Sequence, residues 1–102
     1  MKLIINKSQL NIQPERFLRQ AGYGFIIDRA ADSESFVRRL GRGHYPRFHI
    51  YLKQKNNQII FNLHLDQKRP SYAGASAHNA EYEGRIVEDE IERLKKLFKS
   101  VK

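Results

Sequence analysis

The chain has 102 residues, a formal net charge of +8 and no cysteine. That length suits one domain with a core of its own, and the missing thiols exclude a disulfide framework and any thiolate metal site. No apolar run approaches a membrane span, and MKLIINKSQL holds only three consecutive apolar residues, too few for a secretion signal, so a cytoplasmic protein with no membrane partner is expected.

In chain order, Leu3 to Ile5 is a short apolar run suited to a strand, and Asn6 to Gln13 is polar and reads as a loop. Pro14 suits the first helical position, where its missing N–H costs nothing, and Gly22 suits a helix stop. With Phe17, Leu18 and Ala21 as its apolar face, a helix is predicted over about 14–21. Residues 23–28, YGFIID, return to strand character. Asp32 and Ser33 are good helix N-caps, Phe36, Val37 and Leu40 recur at helical spacing, and Gly41 suits the left-handed C′ position. A second helix is predicted there, ending in Arg38 and Arg39, cations that the helix dipole also favours. GRGHYP, residues 41–46, is a basic connector, and the next strand begins after Pro46, which cannot donate to a ladder.

Residues 47–66, RFHIYLKQKNNQIIFNLHLD, form a β-hairpin closed at Asn56-Asn57, because asparagine tolerates the positive φ of a tight turn. Placing Lys55 opposite Gln58 puts Leu52 against Phe61, Ile50 against Leu63 and Phe48 against Leu65 on one face. The other face pairs Tyr51 with Asn62, His49 with His64 and Arg47 with Asp66. A one-residue slip would mix the faces, so the pattern favours this register. Residues 67–84, QKRPSYAGASAHNAEYEG, show no period and read as a long irregular segment, a length at which loops tend to be functional or disordered. From about Arg85 to Val101, Val87, Ile91, Leu94, Phe98 and Val101 make one helical stripe. Acidic residues crowd its start and basic ones its end, with Asp89–Arg93 and Glu92–Lys96 as i, i+4 pairs on a solvated face.

The predicted architecture is a single α+β domain over residues 1–102. A mainly antiparallel sheet carries its helices on one face, in the order β-α-β-α-β-β-(long loop)-α. The Phe61 side of the hairpin then faces the core and the His64 side lies outside it.

The charge sits on that hairpin. Residues 38–69 hold eight basic side chains (Arg38, Arg39, Arg42, Arg47, Lys53, Lys55, Lys68, Arg69) against Asp66 alone, while the flanking segments are nearly balanced. So concentrated a positive field attracts polyanions, nucleic acid above all. With Tyr51 to stack on unpaired bases, single-stranded RNA is the expected partner, since no recognition-helix motif for duplex reading is present. Two further chemistries fit the same face. Directly opposed residues have Cβ atoms about 4.5–5.5 Å apart, so His49 and His64 can act as acid and base on a phosphodiester, which would make the chain a ribonuclease-like enzyme. Alternatively they can hold zinc together with Asp66 and His78, although no recognised ligand spacing is present. A last alternative is a protein-interaction or homodimer module through Tyr51 and Ile60.

Overall fold

The computed structural model describes residues 1–27, 33–67 and 79–100, with side chains from Gly84 onward in the last of these. Its elements are β1 (Lys2–Asn6), a 3-10 turn (Lys7–Gln9), α1 (Pro14–Gln20), β2 (Gly24–Ile26), β3 (Glu34–Arg39), β4 (Arg47–Lys55), β5 (Gln58–Asp66) and α2 (Asn79–Ser100). The strands form one antiparallel sheet in the order β1-β5-β4-β3-β2. The fold is α+β, with a five-stranded sheet and two helices.

The β4–β5 hairpin has the expected register from Lys55↔Gln58 to Arg47↔Asp66. Its turn rests on Asn56, whose φ of 55° is the left-handed conformation that asparagine tolerates and β-branched residues resist. β1 extends the apolar face by setting Leu3 beside Phe61 and Ile5 beside Ile59. β4 begins at Arg47, directly after Pro46.

One predicted element is overturned. Residues 34–39, ESFVRR, are strand β3, paired to β2 on one side and β4 on the other. Only three apolar positions supported the helical reading, and Phe36 and Val37 are equally good strand residues. Ladders on both sides decide the matter, Phe36 facing Ile50 in the core while Leu40, the third member of the supposed helical face, is 40 % exposed. Arg38 and Arg39 are therefore not end-of-helix cations, and they point to opposite faces of the sheet. The observed order is β-α-β-β-β-β-α. Of the segment read as irregular, the part from Asn79 onward belongs to α2, and residues 68–78 lie outside the described residues.

The core joins Phe36, Phe48, Ile50, Leu52, Ile59, Phe61 and Leu63 of the sheet to Phe17, Leu18, Ala21 and Tyr23 around α1, and to Val87, Ile91 and Leu94 of α2. Phe17 is its hinge-pin: its ring meets Phe61 edge-on at 5.9 Å and Phe98 at 6.4 Å. Each such fully buried side chain contributes about 1.5–3 kcal/mol of hydrophobic stabilisation.

A buried polar lock ties α1 and β2 to α2. Glu90 is only 4 % exposed. Its Oε2 accepts from the Tyr23 hydroxyl at 2.5 Å, and the Arg93 guanidinium donates to both carboxylate oxygens at 2.7 and 2.8 Å. Arg93 Nη2 also donates to the Ala21 carbonyl at 2.7 Å. Burial pushes the Tyr23 hydroxyl far above its usual range, and the bond to Glu90 adds to the effect. The hydrogen bonding of Arg93 to Glu90 raises the guanidinium in turn. Glu90 is thus part of the core and not of a solvated face, and among the described side chains the helix ion pairs are Glu90–Arg93 and Glu92–Lys95 at i, i+3 spacing. A buried carboxylate is tolerated because three donors replace its water. Among the described residues, no helix is long and apolar enough to cross a membrane.

Candidate nucleic-acid interface

Alternation along each strand places Lys2 and Ile4 of β1, Ile60, Asn62, His64 and Asp66 of β5, Arg47, His49, Tyr51, Lys53 and Lys55 of β4, and Ser35, Val37 and Arg39 of β3 on the face opposite Phe61. Of the basic residues expected at the interface, Arg39, Arg47, Lys53 and Lys55 share this face with Tyr51. Arg38 does not. It lies on the apolar side, its guanidinium 5.7 Å from the centroid of the Phe48 ring, a cation–π contact that follows from β3 being a strand. Arg42 is exposed in the connector between β3 and β4, and Lys68, Arg69 and His78 lie outside the described residues. Lys2 was not anticipated. It reaches the face because β1 pairs with β5, setting Lys2 beside Asn62, and a pairing between the first and last strands leaves no mark in the local sequence.

Two hollows mark this surface. One, of about 380 Å³, is bordered by Lys2, Lys53 and Lys55 together with Ser33, Tyr51, Ile60 and Asn62. Three ammonium groups around a floor with an aromatic ring and an amide suit an anionic chain whose bases can stack. The other, of about 570 Å³, lies where β4 begins and β5 ends and is lined by Tyr45, Arg47, His49, Tyr51, Leu65, Asp66 and Gln67.

The second hollow has an ordered polar wall. Asp66 Oδ2 accepts from Arg47 Nε at 3.2 Å and from His49 Nδ1 at 2.7 Å. The Arg47 guanidinium lies 4.7 Å over the Tyr45 ring. Tyr51 stacks on His49 with ring centroids 4.3 Å apart and meets His64 edge-on at 5.5 Å. The two histidines are directly opposed in register, as expected, yet their environments differ: His49 is 4 % exposed and His64 is open to solvent. Partial burial, then the nearby Met1 amino group and His49, hold His64 below the ordinary imidazole value, with Asp66 opposing the shift. A neutral His64 is a poor proton donor near pH 7.

His49 departs from the expectation of an open polar face. Its Nε2 is buried and has no hydrogen-bond partner, and the same is true of Ser35 Oγ one strand away, across from Tyr51. An unpartnered buried polar atom costs about 1–3 kcal/mol, and Glu15 Oε1, away from this face, is another among the described residues.

Among the described residues no three histidine, aspartate or glutamate side chains form a group able to hold a metal ion, and His78 of the expected zinc set lies outside those residues. His49 Nδ1 is already bonded to Asp66, which leaves the carboxylate as an orienting partner of the ring. Comparison of the chain with protein-family models, with curated proteins and with solved structures gives no match, so the functional reading rests on the geometry of this face alone.

Proposed function

We propose that the chain binds single-stranded nucleic acid, RNA in preference to duplex DNA, across the sheet face that carries Tyr51, as an intracellular protein. The observation that carries this reading is the cluster of Lys2, Arg39, Arg47, Lys53 and Lys55 around Tyr51 on one side of the sheet. We take both helices to cover the other side, a placement supported by the Phe17–Phe61 contact and by Val87, Ile91 and Leu94 sharing a core with Phe61. The polar face is then left to a ligand, whose phosphates meet the cations while its bases meet Tyr51. Binding is expected to weaken with salt, log K falling against log salt by about 0.7 for each phosphate neutralised on a single strand. Anisotropy with labelled RNA and DNA single strands measures this, and absence of binding to either at low salt ends the reading.

The His49–Asp66 bond favours a second reading, cleavage of the bound phosphodiester. A carboxylate-oriented imidazole is the arrangement of a general base, and His64 opposite would serve as the acid. Because His64 titrates below the ordinary range, cleavage would rise toward acid pH. RNA that stays intact between pH 5 and 8 with excess protein removes this reading and leaves the first untouched.

A further inference from the structure

We infer that β1 is a self-pairing edge. Two copies of the chain join antiparallel along Lys2–Asn6, with Ile4 opposite the partner's Ile4, and their two sheets become one. The inference stands apart from the nucleic-acid reading and needs no ligand.

The backbone prepares the edge. In an antiparallel ladder, successive residues turn their N–H and C=O groups alternately toward and away from the neighbouring strand. Met1 exchanges both bonds with Leu63, at 3.0 and 2.7 Å, and the Lys7 N–H donates to the Asn57 carbonyl at 2.8 Å. Leu3 and Ile5 share that phase and face β5, so Lys2, Ile4 and Asn6 turn their backbone groups to the open side of the sheet. The Asn6 N–H is held there by Gln9 Oε1 at 2.9 Å. Among the described residues, the N–H and C=O groups of Lys2 and Ile4 have no hydrogen-bond partner. Such an edge is a template for another strand.

The side chains favour a second β1 as that strand. Ile4 is 50 % exposed on a face otherwise rich in lysine, with half-buried Ile60 beside it in register. A register centred on Ile4 pairs every residue of β1 with a residue of its copy. It sets Lys2 opposite the partner's Asn6, so no like charges meet, and Leu3 opposite the partner's Ile5 on the apolar side. Registers centred on Leu3 or Ile5 also match the faces, but they shorten the ladder. With Ile4 at the centre, the two Ile4 residues exchange both backbone bonds, and each Lys2 N–H donates to the partner's Asn6 carbonyl. Gln9 keeps its place. Ile4 and Ile60 of both copies form an apolar strip across the join, which covers the exposed isoleucine. A twofold axis normal to the sheet relates the copies, so this contact closes at a dimer and sets both Tyr51 faces on the same side.

Sedimentation velocity on the full-length chain, without nucleic acid, reads the association from about 10 μM to about 1 mM. Salt of about 0.15 M screens the repulsion between two chains of net charge +8 beyond roughly 8 Å. A concentration-dependent dimer is expected. Ile4→Lys, which sets like charges directly opposite each other, should weaken it at least about tenfold. Ser100→Lys adds the same charge on an exposed position of α2 and should leave it unchanged. Amide exchange by NMR locates the contact: the Ile4 amide should be protected at high concentration and exchange freely on dilution, while Leu3 stays protected throughout. A chain that remains monomeric to about 1 mM overturns the inference. So does a dimer that survives Ile4→Lys or leaves the Ile4 amide exchanging freely. Should Ile4→Lys fail to fold, the Ile4 amide of the native chain decides the question without it.

Discussion

The two faces of the β4–β5 hairpin are drawn from alternate residues of the same strands, and they bury their atoms for different reasons. On one face Phe48, Ile50, Leu52, Phe61 and Leu63 are buried and apolar, and their removal from water is itself the stabilising term. On the other, His49 is as deeply buried as Phe48, at 4 % exposure, yet one of its ring nitrogens has no partner. Burial of the first kind needs only a fold to explain it. Burial of the second kind works against the fold wherever the polar atom lacks a partner. The contrast also separates the charges: Arg38, on the apolar side, is held over Phe48, while Lys53 and Lys55 on the other side stand in solvent.

Mutations should respect this division. Phe61→Ala is expected to have the largest effect, about 3–5 kcal/mol of destabilisation by urea unfolding, because Phe61 is fully buried and carries the Phe17 contact. A loss below 1 kcal/mol would mean that Phe61 is not at the centre of the core. Next comes Tyr23→Phe. It removes one of three donors to a buried carboxylate and should cost about 1–3 kcal/mol. RNA affinity should be unchanged, since Tyr23 lies in the core and not on the polar face. On the polar face the order reverses. Lys53→Ala and Lys55→Ala should leave stability within about 0.5 kcal/mol of the parent, and each should make the salt dependence of RNA binding shallower by about 0.7 to 1 unit. An unchanged slope in both would remove these lysines from the interface.

The sequence displayed this division unevenly. The hairpin register was readable because two constraints agreed, the turn at Asn56-Asn57 and the strict alternation on either side of it. The His49–Asp66 contact then followed from strand geometry as a diagonal neighbour. β3 was not readable, since ESFVRR has too few apolar residues to separate a period of 2 from one of 3.6, and its conformation is set by β2 and β4. That ambiguity carried over to Arg38, whose face depends on the element type. Glu90 did leave a trace. It stands three residues after Val87 and four before Leu94, inside the apolar stripe of α2, where an acidic residue needs a partner. One partner, Arg93, stands three residues on, but the other, Tyr23, is 67 residues away in sequence, beyond the reach of any local pattern. The early start of α2 was hidden because Asn79–Gly84 contributes little to the stripe and ends in a glycine.

The smallest expected effect is a sharp one, because it reads the electrostatics of the polar face without any ligand. His64 should titrate below the ordinary imidazole value of 6.5, its charged form opposed by partial desolvation, the Met1 amino group and His49. A base with a depressed folded value binds fewer protons in the folded chain than in the unfolded one. Stability therefore rises with pH between the folded value and 6.5, and declines as pH falls through that window. Asp66 is the one group pulling the other way, so Asp66→Asn should lower the His64 midpoint further. The same substitution takes away the anion that orients His49, and it should disturb the His49 ring signals far more than those of His64. Histidine NMR titration of the two chains measures all three effects. A His64 midpoint at or above 6.5, or an upward shift in Asp66→Asn, would show that the charges on this face do not act on one another as their placement requires.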